Sequence, residues 1–290
     1  AVFFSQRMNQ LTCNARYMDE VERVLYNNVL TGVSLSGDKY TYQNPLNTDK
    51  PDRWEWHVCP CCPPMFLKIM AAMPGYIYAY QGDNVYVNLF IGSEVRVPVG
   101  KSNSVRLKQL TSYPWHGAVS IQVNPDKAST FSMKVRIPGW AQGTENPYDL
   151  YQSNLKAPVK LKVNQEDVLL RIVDGYAEIN REWKKGDHIE LELPMQPRLI
   201  TANKAVENLR GQVALASGPI IYCFEDADNP ELQTFKLQAQ TPLELSHDSN
   251  LLNGVNIIKC QGDIPAKAIP YYAVANREES HSYKVWIPQK

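Results

Sequence analysis

From Tyr76 onward the chain reads as a long succession of short strands, and no other feature limits the possible folds as much. Residues 76–80, 84–90 and 94–99 are strand-like, with Gly82-Asp83-Asn84 as a turn between the first two. The series continues over 104–110, 118–123, 130–137, 159–163, 168–173, 176–179 and 188–193. A further set starts around Gly211, is interrupted by a polar stretch over 225–237, and closes over 271–287. Short strands punctuated by turns at this spacing indicate antiparallel β-sandwiches.

Upstream the period is helical. Phe4, Met8 and Leu11 share one face, and a second helix is expected over about 17–30. Its apolar side is Tyr17, Val21, Val24, Leu25 and Val29, with Gly32 as its stop. Asp19, Glu20 and Glu22 fall in its early turns, where acids suit the helix dipole, and a solvated face is expected for them. A hairpin over 33–42 turns through Ser36-Gly37-Asp38, and a polar loop over 47–53 leads to Trp54, Trp56 and His57. A third helix follows Pro63-Pro64, carries Phe66, Leu67, Ile69, Met70 and Met73 inward, and ends at Pro74-Gly75. The fold class is therefore α+β and multidomain, with a helical part over 1–77 and β-sandwich modules over 78–197 and 198–290.

Lysine plus arginine equals aspartate plus glutamate, so no excess charge exists to release counterions from nucleic acid or to bind an acidic membrane. No apolar run has the length of a membrane span. Sixteen tyrosines and six tryptophans suit strand cores first and sugar-stacking surfaces second. Residues 1–11 read as the middle of an amphipathic helix with no N-cap before Phe3, which suggests the C-terminal part of a longer polypeptide.

Cys59-Pro60-Cys61-Cys62-Pro63-Pro64 concentrates the chemistry. Adjacent cysteines pair poorly with each other, so thiols converging at a helix mouth point to a metal or to reactive sulfur. Cys59, Cys61, Cys62, His57 and Glu55 are the local donors; inert buried cysteines are the alternative. Cys13, Cys223 and Cys260 are scattered, unlike a secreted disulfide scaffold, and the compartment stays open.

Several segments, in order, resemble glycoside hydrolase family 127, the β-L-arabinofuranosidase family. Ala15-Arg16-Tyr17-Met18-Asp19 with Glu22-Arg23-Val24-Leu25-Tyr26-Asn27 resembles the helix after the family's Glu-Thr-Cys motif. Val33-Ser34-Leu35-Ser36-Gly37 and Tyr40-Thr41-Tyr42-Gln43-Asn44-Pro45-Leu46 resemble the hairpin after it. The cysteine cluster is similar to the family's Cys-X-Cys-Cys-Pro motif. Arg136-Ile137-Pro138-Gly139-Trp140, Gly218-Pro219-Ile220-Ile221-Tyr222, Ile269-Pro270-Tyr271-Tyr272-Ala273 and Ala275-Asn276-Arg277 follow.

The resemblance implies an (α/α)6 barrel followed by β-sandwiches, with residues 1–77 as the C-terminal part of the barrel. It implies a retaining glycosidase with zinc as cofactor, Cys61 as zinc-bound nucleophile, Cys62 as a second zinc ligand and Tyr42 as a sugar contact. Typical retaining enzymes use two carboxylates instead. The family's remaining ligands, a glutamate and a cysteine, belong to the Glu-Thr-Cys motif, and a separate upstream glutamate is the acid/base. None of these is found here, and Cys13 lies beyond the expected position. The partners implied are a carbohydrate substrate and a missing N-terminal barrel segment of the same protein, with no nucleic acid and no membrane. Met65 stands where many relatives have asparagine.

Two other readings remain open: a non-catalytic carbohydrate-binding module with structural cysteines, and a redox or metal-binding protein using the cluster alone. The catalytic reading expects Phe3, Phe4 and Val24 to be exposed in the isolated chain. Glu20 with Glu22, or Glu55 between Trp54 and Trp56, are minor carboxylate candidates. His116, His188, His247 and His281 form no motif, and Ser5, Ser34 and Ser217 lack a nucleophile-elbow context.

Overall fold

A computed structural model describes all residues except His57 and Pro60, and the side chain of Pro147 is likewise outside the description. The chain separates into two compact units. The first comprises residues 1–22, 71–142 and 156–195; the second comprises 23–70, 143–155 and 196–290.

The first unit holds two sheets. One runs, in spatial order, through strands Glu166–Asp167, Lys160–Val163, Asp187–Glu192, Ala118–Pro125, Asn103–Thr111 and Ser93–Val99. The other runs through Ile172–Val173, Tyr176–Trp183, Ser129–Arg136, Asn84–Val87 and Tyr78–Gln81. Period-2 burial follows from the sequence: Val105 and Leu107 face the core while Arg106 and Lys108 face water. Pairing is antiparallel except between Asn84–Val87 and Ser129–Arg136, which run parallel. Gly117 permits a close approach of backbones, since a Cβ there would sit 1.9 Å from the Leu193 carbonyl oxygen.

Helix α1, Val2–Thr12, packs in this unit by its more polar side. Phe4 and Leu11 are 67% and 79% exposed, whereas Val2, Ser5, Gln6 and Asn9 are buried. The polar side wins because Asn9 has built-in partners. Its amide donates to the Tyr176 hydroxyl at 2.9 Å, and that hydroxyl donates to Asn88 Oδ1 at 2.7 Å. Of the three residues expected to be exposed, Phe4 is; Phe3 and Val24 are half-buried.

Helix α2, Arg16–Val24, continues into a π-helical turn, Leu25–Val29, and a 3₁₀ turn, Leu30–Gly32, before Val33 turns extended. Val21, Leu25 and Val29 are buried as expected. The solvated acidic face is overturned. Glu22 and Arg136 are both fully buried, and Arg136 donates to Glu22 and, at 2.7 Å, to Asp19. Tyr113 and Trp140 also donate to Glu22, at 2.8 and 3.3 Å. A buried carboxylate persists only with such compensation.

In the second unit, ten strands form one hydrogen-bonded network. Its path is Tyr151–Ser153, Arg198–Ala202, Gln212–Ser217, Ile220–Glu225, Ala266–Pro270, Val255–Cys260 and Leu243–Asp248, with three two-residue strands attached. The expected strands over 271–287 reduce to Tyr283–Lys284 and Ile287–Pro288, because Tyr271–Ala273 is a helical turn. Helix α3, Cys62–Ala72, buries only Pro63 and Ile69, leaving Leu67 exposed rather than inward. It ends just before Pro74, as expected, and Pro74 opens a separate short helix, Pro74–Ile77. β-structure dominates, and the described residues of this chain do not close a helical barrel.

Candidate active site

The cysteine cluster sits at the start of α3 in the second unit, and a small aromatic assembly supports it. Lys39–Tyr40 pairs with Trp54–Glu55, placing Tyr40 opposite Trp54. The reversal before it is tight: Ser34 N–H donates to the Lys39 carbonyl at 2.8 Å, and Val33 bridges Tyr40. The expected hairpin therefore reduces to one bridge, and Lys39–Tyr40 takes the Trp54 strand as its partner. Arg53 fixes that strand by donating to the carbonyls of Thr31, Val274 and Ala275 at 2.8 to 3.1 Å. Burial lowers this guanidinium to about 10.

Tyr40 has no accessible surface and meets Trp54 and Trp56 edge-on, with ring centroids 6.2 and 6.4 Å away. Its hydroxyl makes no hydrogen bond of good geometry to a described group and faces Cys59 and Cys62. Burial first, then the neighbouring Cys59 thiol, raises it above the ordinary phenol range. Tyr42 is half-exposed and stacks on Trp54 at 4.7 Å with the rings within 2° of parallel. The Trp54 indole N–H donates to Asp52 at 2.6 Å, which holds the stack in place. Tyr42, Trp54, Tyr40 and the thiols thus form one chain of contacts.

The three thiols lie together. Cys59 Sγ and Cys61 Sγ are 3.3 Å apart, and Cys61 Sγ and Cys62 Sγ are 3.7 Å apart. Cys61 is the exposed member; Cys59 and Cys62 are half-buried. Two thiolates about 2.3 Å from one tetrahedral zinc would be separated by about 3.8 Å, so Cys61 and Cys62 fit as two ligands. Among the described residues no group of three or more His, Cys, Asp or Glu is arranged to hold a metal ion. The chain therefore offers part of a donor shell. His57, one local candidate, lies outside the described residues. Glu55, another, is exposed and pairs with Lys39 at 3.8 Å.

The other candidates disperse. Glu22 is committed to Arg136, so Glu20 and Glu22 are not a free carboxylate pair. Cys13 closes α1 in a left-handed conformation and contacts Gln81. Cys223 and Cys260 are buried, and burial pushes Cys223 well up and Cys260 to about 12.

Three sequence models describing one family match the chain in order. The catalytic-domain model of the family 127 β-L-arabinofuranosidases covers residues 1–75, the middle-domain model 84–195 and the C-terminal-domain model 197–288. The chain belongs to glycoside hydrolase family 127. It is 29% identical over 325 aligned residues to a non-reducing end β-L-arabinofuranosidase of Bifidobacterium longum, covering 95% of this chain and 46% of the relative. A solved family 127 β-arabinofuranosidase superposes with a TM-score of 0.92 at 34% identity, covering all of this chain and 48% of that one. A family 127 β-L-arabinofuranosidase from Geobacillus stearothermophilus T6 gives 0.89 at 34% identity, with 100% and 48% coverage. The chain thus spans about half the length of these relatives.

Within this family 127 chain, several of the quoted motifs act as structural pins. Arg136 neutralises Glu22. Asn27, in the π-helical turn, donates to the Pro219 carbonyl at 2.8 Å and accepts from Ile221 N–H at 2.7 Å. Arg277 pairs with Glu225 and Asp228, and Glu225 is fully buried. The sequence signal for such pins was an arginine or asparagine inside an apolar motif, which solvent exposure does not explain.

Proposed function

We propose that this chain carries the nucleophile of a retaining glycoside hydrolase acting on β-L-arabinofuranosides or related plant-derived sugars. The observation that carries the reading is the placement of Cys61. It is the exposed thiol at the foot of α3, spaced from Cys62 as two ligands of one soft metal would be, within residues matched by the catalytic-domain model.

Cys61 and Cys62 would hold zinc, which when bound keeps coordinating thiols deprotonated at neutral pH. The Cys61 sulfur attacks the anomeric carbon; the C–S bond forms as the glycosidic C–O bond breaks, and the departing oxygen takes a proton from a general acid. Water then displaces the sulfur from the opposite face, giving up its proton to the same group. Two inversions retain the configuration. Tyr42, backed by Trp54, offers a flat apolar face to the sugar.

The general acid and the remaining donors are proposed to come from an N-terminal barrel segment of the same protein, with residues 1–77 completing an (α/α)6 barrel. The coverage of less than half of each relative and the exposed Phe4, Leu11 and Leu67 support this. The 290-residue chain alone should then hydrolyse an aryl β-L-arabinofuranoside poorly, and joining it to that segment should restore turnover. Cys61→Ala should lower turnover of the joined protein by at least about 10³-fold. Cys62→Ala should lower its zinc content. Sugar binding that survives Cys61→Ala, with no turnover in any form, would favour a carbohydrate-binding module instead.

A further inference from the structure

Cys59 has no part in the proposed hydrolysis, yet its sulfur is the one nearest Cys61. The separation is 3.3 Å, against 3.7 Å between Cys61 and Cys62. A disulfide has an S–S length of about 2.05 Å, so closure needs a shift of only about 1.3 Å. Both residues sit in a bend and a turn, outside any helix or strand, where such a shift breaks no ladder. The neighbouring pair is handicapped. Consecutive Cα atoms are about 3.8 Å apart, below the roughly 4.4–6.8 Å that disulfides usually span. Cys62 is also fixed as the first residue of α3. All three are free thiols, and Cys61 is the one open to solvent.

We propose that Cys59 and Cys61 form a modification site, an oxidisable dithiol that reacts with a two-electron oxidant of the peroxide class and closes reversibly. The Cys61 sulfur attacks one peroxide oxygen; an S–O bond forms, the O–O bond breaks, and water leaves. Cys59 then attacks the sulfenic sulfur; the S–S bond forms, the S–O bond breaks, and a second water leaves with the Cys59 proton. Two thiols and one hydrogen peroxide give one disulfide and two waters. A dithiol reductant reverses it. Closure caps Cys61 and spares it from irreversible sulfinic acid formation. The inference rests on the sulfur positions alone and stands whether or not the hydrolase reading does.

The test uses chelator-treated protein, one equivalent of hydrogen peroxide, iodoacetamide and mass spectrometry. Trypsin releases residues 54–68, which carry all three cysteines. The expected peptide is two hydrogens lighter with one alkyl group, on Cys62; dithiothreitol before alkylation restores three alkyl groups. In Cys59→Ser, irreversible Cys61 oxidation should rise several-fold. Cys62→Ser, which keeps the pair, should still close, and circular dichroism checks that both variants fold. Three alkyl groups after peroxide, a disulfide joining Cys61 to Cys62, or equally reversible oxidation in Cys59→Ser would overturn the proposal.

Discussion

Glu22→Leu is the substitution that tests the packing account most severely. Glu22 and Arg136 are both fully buried, and the guanidinium directs donors at Glu22, Asp19 and the Asn88 carbonyl. Removing the carboxylate leaves the buried cation with one anionic partner, Asp19, which keeps 31% side-chain exposure, and the neutral Asn88 carbonyl. It also withdraws the acceptor that Tyr113 and Trp140 use. Breaking one side of a buried ion pair costs about 3–5 kcal/mol. Glu22→Gln keeps the shape and one acceptor oxygen, so about 1.5–3 kcal/mol is expected. Replacing both partners by apolar residues, Glu22→Leu with Arg136→Met, should recover much of the loss, because neither charge is then buried alone. Urea unfolding followed by tryptophan fluorescence, run as a double-mutant cycle, reads all three. A Glu22→Leu loss below about 1 kcal/mol, or a double variant as unstable as the sum of the singles, would refute the reasoning.

Asp19 adds a pH signature. Desolvation raises it to about 6, opposed by Arg136. The folded state therefore holds a proton that the unfolded state releases from about pH 4 upward, so this group lowers stability as pH rises from about 4 to 6. Asp19→Asn should gain stability relative to the parent across that window, by about 1–2 kcal/mol after allowance for its partial exposure, in unfolding titrations at pH 4 and 7. Gly175 has φ +81°, and a Cβ there would lie 2.6 Å from that of Ala15. Gly175→Ala should cost about 1–3 kcal/mol in urea unfolding. Among the six thiols, Cys61 should react first with a bulky disulfide reagent, and Cys223 and Cys260 only on unfolding, as timed by absorbance.

The β-strands of the first unit were legible because period-2 alternation there coincides with burial: the expected 104–110 and 118–123 lie inside Asn103–Thr111 and Ala118–Pro125. The cysteine cluster was legible because its residue types are rare and adjacent. The helices were read less well for a common physical reason. The spacing of Phe4, Met8 and Leu11 marked a helix but not the side it buries, because Asn9 finds buried partners on Tyr176 and Asn88, more than 70 residues away in the chain. Glu22 likewise looked solvated because Arg136, which neutralises it, is remote in sequence. The strands Val255–Cys260 and Ala266–Pro270 were missed because burial on both faces erases alternation, as the run of buried residues from Val255 to Ile258 shows.

The central claim is that Cys61 becomes covalently bonded to the sugar. The direct measurement is rapid acid quench of the protein joined to its proposed barrel segment, during turnover of an activated aryl β-L-arabinofuranoside, then mass analysis of residues 54–68. The account predicts a peptide heavier by one pentosyl group, with fragmentation placing it on Cys61, and no such peptide from Cys61→Ala. Full turnover by Cys61→Ala, or a pentosyl group found on a carboxylate instead, would contradict it.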